Sequence, residues 1–365
     1  MGHGIYPDLT RQSSFKRLKG TQIKDKIRVI LRFVVRDPKG GFLIPFLAKY
    51  QLGQSPPIAS FMGKPCVMPP LWATARDCPY KPTMIDYENA WRRWMTDYNE
   101  GLGLVYERLI LNDFLEGLMR QHGIRTVLEA PLYGMAGASG INSVRFAQLG
   151  AHVTVVDVNE ERLIEVKRLW HELGLLERAE FIYLSDPSVL PFGDGTFDFV
   201  WNWAALWYLP DAGATLREMA RVSNHLVFTA MPNRMQMGYV LRKYLLEQEF
   251  FDWIEDESWA NINKARRVLE PVGMRLIDQG VLDVPPWPDT VMPARDVLKR
   301  LGFGKGAQAR FEGESWEWST MAYYTGQQPQ LKAQMDSYAF LERAPIPWWL
   351  KVVWAHHRYV LLERS

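Results

Sequence analysis

Cysteine is scarce. Two thiols, Cys66 and Cys78, stand in 365 residues. Neither has a His or second Cys at ligand spacing, which argues against both a disulfide framework and a metal motif. Long apolar runs are missing as well: nothing approaches the about 18 residues that a spanning helix needs, and no leading segment has the order of a cleavable signal. Tyr6 occupies the position where a myristoylation signal needs Ser or Thr. These absences set the expectation of a cytoplasmic chain that does not cross a membrane. Charge of one sign is also lacking, since 43 Lys and Arg meet 41 Asp and Glu for a net charge of +2. Such a balance argues neither for nor against a polyanionic partner, and nucleic acid is not expected as one. No internal repeat and no low-complexity tract is visible.

Aromatic residues, by contrast, are abundant at 13%, with 15 Trp. Many stand in two groups, Trp72 to Tyr98 and Trp253 to Trp354. They either pack accessory segments against a central sheet or line a large apolar acceptor pocket. Between the two groups lies the stretch that organises the chain. An apolar run, Thr126-Val127-Leu128-Glu129-Ala130, leads into a Gly-rich turn, Tyr133 to Gly140, then a helical segment, Ile141 to Leu149. A second apolar run, Val153 to Val156, ends on Asp157. Strand, Gly turn, helix and strand ending in an acid form a βαβ nucleotide-binding unit. Glycines let the backbone approach a ligand at the head of a helix, and the acid can accept hydrogen bonds from a ribose diol.

A third strand, Glu180 to Leu184, runs into Ser185-Asp186, and Leu190-Pro191-Phe192-Gly193-Asp194-Gly195-Thr196-Phe197-Asp198-Phe199-Val200 gives a polar turn and a fourth strand. With Ala205 to Asp211, Leu216 to Val222 and Leu226 to Thr229 following in order, the stretch from Thr126 to Pro232 resembles the class I S-adenosylmethionine-dependent methyltransferases. The resemblance implies an α/β fold: a Rossmann-like, seven-stranded, mostly parallel sheet with an antiparallel last strand and helices on both faces. It implies S-adenosylmethionine as cofactor. Residue by residue, it sets Glu129 near the methionine end, Gly134, Gly137 and Gly140 around the carboxypropyl chain, Asp157 on the ribose, and Asp186 with Pro187 or Ser188 by the adenine. The first motif departs from the family. Ala-Pro-Leu-Tyr separates Glu129 from the first Gly, and Glu129 stands further from Asp157 than the about 20 positions of a generic dinucleotide unit. A reshaped loop is expected.

Outside this core, residues 1–122 read as a basic, Pro- and aromatic-rich, partly helical extension. Residues 1–40 carry ten Lys or Arg against three Asp, and Ile23, Ile27, Ile30, Leu31 and Val34 share one helical face. Such a helix docks on its own domain or lies on an anionic membrane surface. The apolar stretch Phe42 to Leu47 suits either role. Seven prolines between Pro56 and Pro82 exclude continuous helix there. From Asp86 to Gln121 the pattern is helical, broken at Gly101-Leu102-Gly103, with Leu104 to Met119 expected to pack on the sheet; the family resemblance makes Tyr98 and Tyr106 candidates for the cofactor or acceptor side. Residues 123–282 form the cofactor-binding core, with helices at Met237 to Phe251 and Ser258 to Leu269, and a sixth strand at Met274 to Gly280. The seventh strand is placed at His357 to Glu363, within a terminal piece 351–365. Residues 283–350 then form an aromatic-rich insertion that covers the acceptor, with a helix over Ala294 to Leu301 and a Gly-rich link.

Methyl transfer from a sulfonium needs binding and alignment more than side-chain chemistry. No catalytic base declares itself among His122, His152, His171, His225, His356 and His357. No acid cluster accompanies Asn202-Trp203, so no metal is expected. Asn233 and Arg234 should stand near the site, because the fifth strand leaves the sheet at its carboxyl edge. The acceptor is expected to be a small apolar or aromatic molecule. A dehydrogenase shares the Gly turn and Asp157 but not the Leu190 to Val200 pattern. A binding protein without turnover and a membrane-surface protein stay open as alternatives, as does the oligomeric state.

Overall fold

Four strands of the chain are apolar almost without interruption, the pattern of strands covered on both faces. In a computed structural model, which describes residues 88–132, 136–287 and 318–365, these are β1 (Thr126–Glu129), β2 (His152–Asp157), β4 (Phe197–Trp203) and β5 (Ser223–Pro232). With β3 (Ala179–Tyr183), β6 (Met274–Leu282) and β7 (His357–Arg364) they make one seven-stranded sheet in the order β3-β2-β1-β4-β5-β7-β6. The first five run parallel, while β7 pairs antiparallel with both β5 and β6. This is the expected fold class. The expected helices at Ile23 to Val35 and Ala294 to Leu301, the apolar stretch Phe42 to Leu47, the proline-rich segment, Gly134 and the Gly-rich link lie outside the described residues.

The helices are α1 (Trp91–Asp97), α2 (Leu102–His122), α3 (Val144–Gln148), α4 (Glu160–Glu172), α5 (Ala212–Val222), α6 (Met237–Leu241), α7 (Gln248–Trp253), α8 (Asn263–Leu269), α9 (Thr320–Tyr324), α10 (Leu331–Tyr338), α11 (Phe340–Arg343) and α12 (Trp348–Lys351). Helix α2 is buried on two sides. Leu111, Leu115 and Leu118 join the core on one face of the sheet, whereas Val105, Tyr106, Leu109 and Ile110 pack with Leu331, Met335 and Ala339 of the late segment. It ends where Gly123, at φ 64°, donates its N–H to Met119 O, the left-handed stop that glycine adopts without strain.

Register at the amino edge is pinned by Asp198, which accepts from Arg125 N at 2.8 Å and Thr126 N at 3.0 Å, while Thr126 Oγ1 accepts from Asp198 N. Trp91, Trp170, Trp201, Trp203 and Trp207 are among the most deeply buried large side chains. At ~25 cal/mol per Å² a side chain of this size contributes about 4–6 kcal/mol before entropy is counted. Four of the five lie inside the stretch 126–209, where they are part of the core.

Three elements are shorter than expected. Helix α3 begins at Val144, since Ile141, Asn142 and Ser143 belong to the loop. The segment 237–251 is interrupted by a π-turn at Arg242–Leu246, closed by Glu247 N to Arg242 O at 2.7 Å. The stretch 258–269 starts as a 3₁₀ turn, Glu257–Ala260, capped by Asp256.

Candidate active site

Parallel strands bring their carboxyl ends to one edge, and the strand order reverses between β1 and β4. A ligand crevice belongs at such a reversal. Glu129 ends β1 there and is fully buried. Its Oε2 accepts from Ser143 Oγ at 2.5 Å, and Trp201 Nε1 donates to the same hydroxyl at 3.2 Å. Among the described residues Glu129 Oε1 has no partner, nor do Ser139 Oγ and Asn142 Oδ1 of the loop between β1 and α3; all three residues are buried. Burial pushes the Glu129 carboxyl up to about 7, against the pull of Ser143 and Arg108.

The two described glycines of this loop do different work. Gly137 (φ 78°) lies against α2: an added Cβ would stand 2.7 Å from Glu100 Oε1 and 2.8 Å from Arg108 Nη2. Those side chains hold the loop from outside, Glu100 Oε1 accepting from Ala138 N at 2.9 Å and Arg108 Nη2 donating to Ala136 O at 3.1 Å. Glu100 is tied in turn to the late segment, through Thr320 N to its Oε2 at 3.0 Å and its own N–H to Trp318 O at 2.8 Å. Gly140 (φ 73°) lies against α4, with an added Cβ 2.2 Å from Val166 Cγ1, and its carbonyl accepts from Trp170 Nε1 at 2.9 Å. Its missing side chain admits a helix.

Asp157 ends β2, fully buried, and its carboxylate is already well used. Arg162 of α4 donates to Oδ2 at 2.7 Å and to Oδ1 at 2.5 Å, and Asn159 N adds a third bond at 3.0 Å. A carboxylate offers about four acceptor sites, so about one is left for a hydroxyl. The helix cap beside it is Asn159, which accepts from Arg162 N. Asp186 is exposed and accepts from Ser188 N at 2.9 Å; hydrogen bonds from Ser188 hold its carboxyl below the usual range. Pro187 is buried and Ser188 half-buried. Phe192 packs edge-on to Phe197 in the core.

Further along the same edge a second group assembles that no local motif announced. Trp203, the last residue of β4, donates Nε1 to Glu107 Oε1 at 2.9 Å, and Arg108 Nη1 donates to the same oxygen at 2.9 Å. The Trp203 ring lies 4.4 Å from that of His357, the first residue of β7. Asp283, just past β6, stands with Oδ2 3.0 Å from His356 Nδ1 and 3.4 Å from His357 Nδ1. Tyr106, buried and with no partner for its hydroxyl among the described residues, meets Trp287 edge to face at 5.4 Å; burial pushes its phenol up. The available signal was the pair Glu107-Arg108 inside an otherwise apolar stretch of α2.

Other candidates turn out to brace the fold. Asn233 is buried and donates to Val352 O at 2.5 Å and Ala355 O at 2.8 Å, so it fastens the chain ahead of β7, while Arg234 is exposed. Tyr98 closes α1 at φ 54° and donates to Glu172 at 3.3 Å. His152 starts β2, and His122 meets His225 edge to face by the start of β5, at the edge opposite the crevice. His171 is exposed on α4.

S-adenosylmethionine, the cofactor the sequence implies, carries an ammonium, a sulfonium and hydroxyls. The unpaired Glu129 Oε1, Ser139 Oγ and Asn142 Oδ1 suit it in number and polarity; Asp157 suits a ribose through about one bond while Arg162 holds it. Residues 134–225 match the model of a methyltransferase domain family. Among solved structures, the chain is similar to magnesium protoporphyrin IX methyltransferase from Synechocystis PCC 6803 with bound SAH, at 14% identity over 76% of this chain and 96% of that one, TM-score 0.44. A putative sarcosine dimethylglycine methyltransferase from Galdieria sulphuraria matches at 14% identity over 70% and 85%, TM-score 0.39. A SAM-dependent methyltransferase from Aquifex aeolicus matches at 20% identity over 48% and 87%, TM-score 0.35.

Proposed function

We propose that this chain, which belongs to the class I S-adenosylmethionine-dependent methyltransferases and takes that sulfonium as cofactor, transfers the methyl group to a small acceptor with an apolar or aromatic body. The observation that carries the reading lies at the reversal of strand order: Glu129 Oε1 at the end of β1, with Ser139 Oγ and Asn142 Oδ1 in the loop that follows and inside the matched residues, are buried without partners among the described residues. When bound, the cofactor supplies an electrophilic methyl on a cationic sulfur. The protein's part is then binding, alignment and exclusion of water. Glu129, Ser139 and Asn142 would hold the polar end. Tyr106, Trp203 and Trp287 supply the aromatic surroundings for an acceptor, beside the polar group around Asp283.

The test has two stages. Titration calorimetry should give saturable S-adenosylmethionine binding with NAD inert. Labelled cofactor should then pass its methyl to some member of a panel of small aromatic hydroxyl and amine compounds. Absence of cofactor binding would remove the reading altogether. A second reading, cofactor binding without turnover, draws on the altered first motif, in which Ala-Pro-Leu-Tyr separates Glu129 from the first Gly. Binding with no transfer to any acceptor class would favour it.

A further inference from the structure

Three residues far apart in the chain meet at the carboxyl edge of the sheet: Glu107 from α2, Asp283 after β6, and His357 opening β7. One donor atom of each lies within 4.8 Å of the other two, and all three residues are buried. We propose that Glu107, Asp283 and His357 form a binding site for a divalent transition-metal ion.

Two observations support the site beyond proximity. Among the described residues, Asp283 Oδ1 and His357 Nδ1 are buried without a hydrogen-bond partner, in residues 2% and 7% exposed. Nδ1 stands 3.4 Å from Asp283 Oδ2 but lacks the alignment of a hydrogen bond. Buried polar atoms of this kind call for a partner, and an unpaired carboxylate oxygen next to an unpaired imidazole nitrogen is a pair of lone-pair donors. The second observation is charge. Glu100, Glu107 and Asp283 are buried carboxylates; Arg108, paired with Glu107 at 2.9 Å and Glu100 at 3.8 Å, is the fixed cation placed among them in the described residues. His356 lies between two acceptors, Asp283 Oδ2 at 3.0 Å and Trp287 O at 3.2 Å. A divalent cation would offset the charge of carboxylates gathered in this way.

The donor set selects the class of ion. Two carboxylate oxygens with one imidazole nitrogen lie between the all-oxygen sites of magnesium and calcium and the sulfur-rich sites of structural zinc, and suit manganese, iron, cobalt or zinc. Metal–ligand bonds of about 2.0–2.2 Å place neighbouring donors roughly 3–3.5 Å apart, so side-chain shifts of about 1 Å would close the site. Trp203, bonded to Glu107 and stacked by His357, orients two of the three ligands. Three protein ligands leave coordination positions open. The inference does not depend on methyl transfer, since it rests on residues outside the loop that would hold the cofactor.

The test uses the full chain, stripped with a chelator and titrated with manganese(II) and zinc(II) by calorimetry, with metal content measured by elemental analysis. One ion per chain is expected, with a dissociation constant in the micromolar range or below. Asp283→Asn and His357→Gln should each weaken binding tenfold or more, while S-adenosylmethionine titration of the same variants follows the separate question of the cofactor site. Electron spin-echo spectroscopy of the manganese form should show coupling to an imidazole nitrogen. No saturable binding by the wild-type chain would overturn the proposal whatever the variants do. So would manganese without nitrogen coupling, or undiminished affinity in both variants.

Discussion

Glu129 is a carboxyl group with one oxygen satisfied and one not. Its folded-state value of about 7 stands above the ordinary 4.5, so between those limits the folded chain holds a proton that the unfolded chain has lost. Stability contributed at low pH is therefore lost as pH rises from about 4.5 to 7. Glu129→Gln should abolish that slope and leave the protein more stable at pH 8 by about 2–3 kcal/mol, as read by urea titration at pH 5 and pH 8. A cationic cofactor prefers the ionised form, so wild-type affinity for S-adenosylmethionine should rise from pH 6 to pH 8 and that of Glu129→Gln should stay flat. Asp157 presents the opposite case, a buried carboxylate already paired. Asp157→Ala would strand Arg162, whose side chain is 11% exposed, at a cost of about 3–5 kcal/mol. Adding Arg162→Met should recover at least half of that in chemical denaturation. Both acids were legible in the sequence because each closes an apolar strand. Arg162 was not, since one turn of an amphipathic helix gives no sign of which cation turns inward.

At the scale of elements, a side-chain relay runs from the late segment to the cofactor loop: Thr320 N to Glu100, and Glu100 to Ala138 N. Thr320 opens α9 after Ser319, which is extended at φ −134° and ψ 120°. Proline is tolerated at a first helical position, and an extended residue is what it requires before it. Thr320→Pro therefore deletes one N–H and keeps the helix. Cofactor affinity should fall about tenfold with helical circular dichroism unchanged; unchanged affinity would show that the loop stands without this strut. By the same relay, removing residues 283–350 should disturb the loop at Ala138 and weaken cofactor binding as well as turnover. Strands β1 to β7 were readable because apolar runs with turn residues between them are local signals. The group of Glu107, Asp283 and His357 was not, because its members come from a helix, a strand exit and a strand start, and only the pairing of β6 with β7 brings the last two together.

For the whole molecule, among the described residues no helix is long and apolar enough to cross a membrane. The basic residues of 1–40 carry the remaining expectation of contact with an anionic surface. Each cation near such a surface contributes about 1 kcal/mol, and salt weakens it. Co-sedimentation with anionic vesicles at low salt should retain the full chain and lose it on removal of residues 1–50, with neutral vesicles binding neither form. Failure of the full chain to bind anionic vesicles would assign the arm to an intramolecular role.

The placement of β7 between β5 and β6 bears on how the protein is made. Strand β6 stands at the edge and has β7 as its neighbour in the sheet. On a ribosome adding about 5–20 residues per second, β6 emerges and then waits roughly 4–15 seconds before His357 exists. Through that interval β5 exposes an open apolar edge of the kind that pairs with other chains, and β6 has no place in the sheet. The parallel half can form as it emerges, but the carboxyl edge, with Asp283 and His357 on it, is assembled last. Synthesis from the amino end thus separates the two halves of the site in time, and nascent chains paused between residues 290 and 350 should be the ones that aggregate or recruit chaperones.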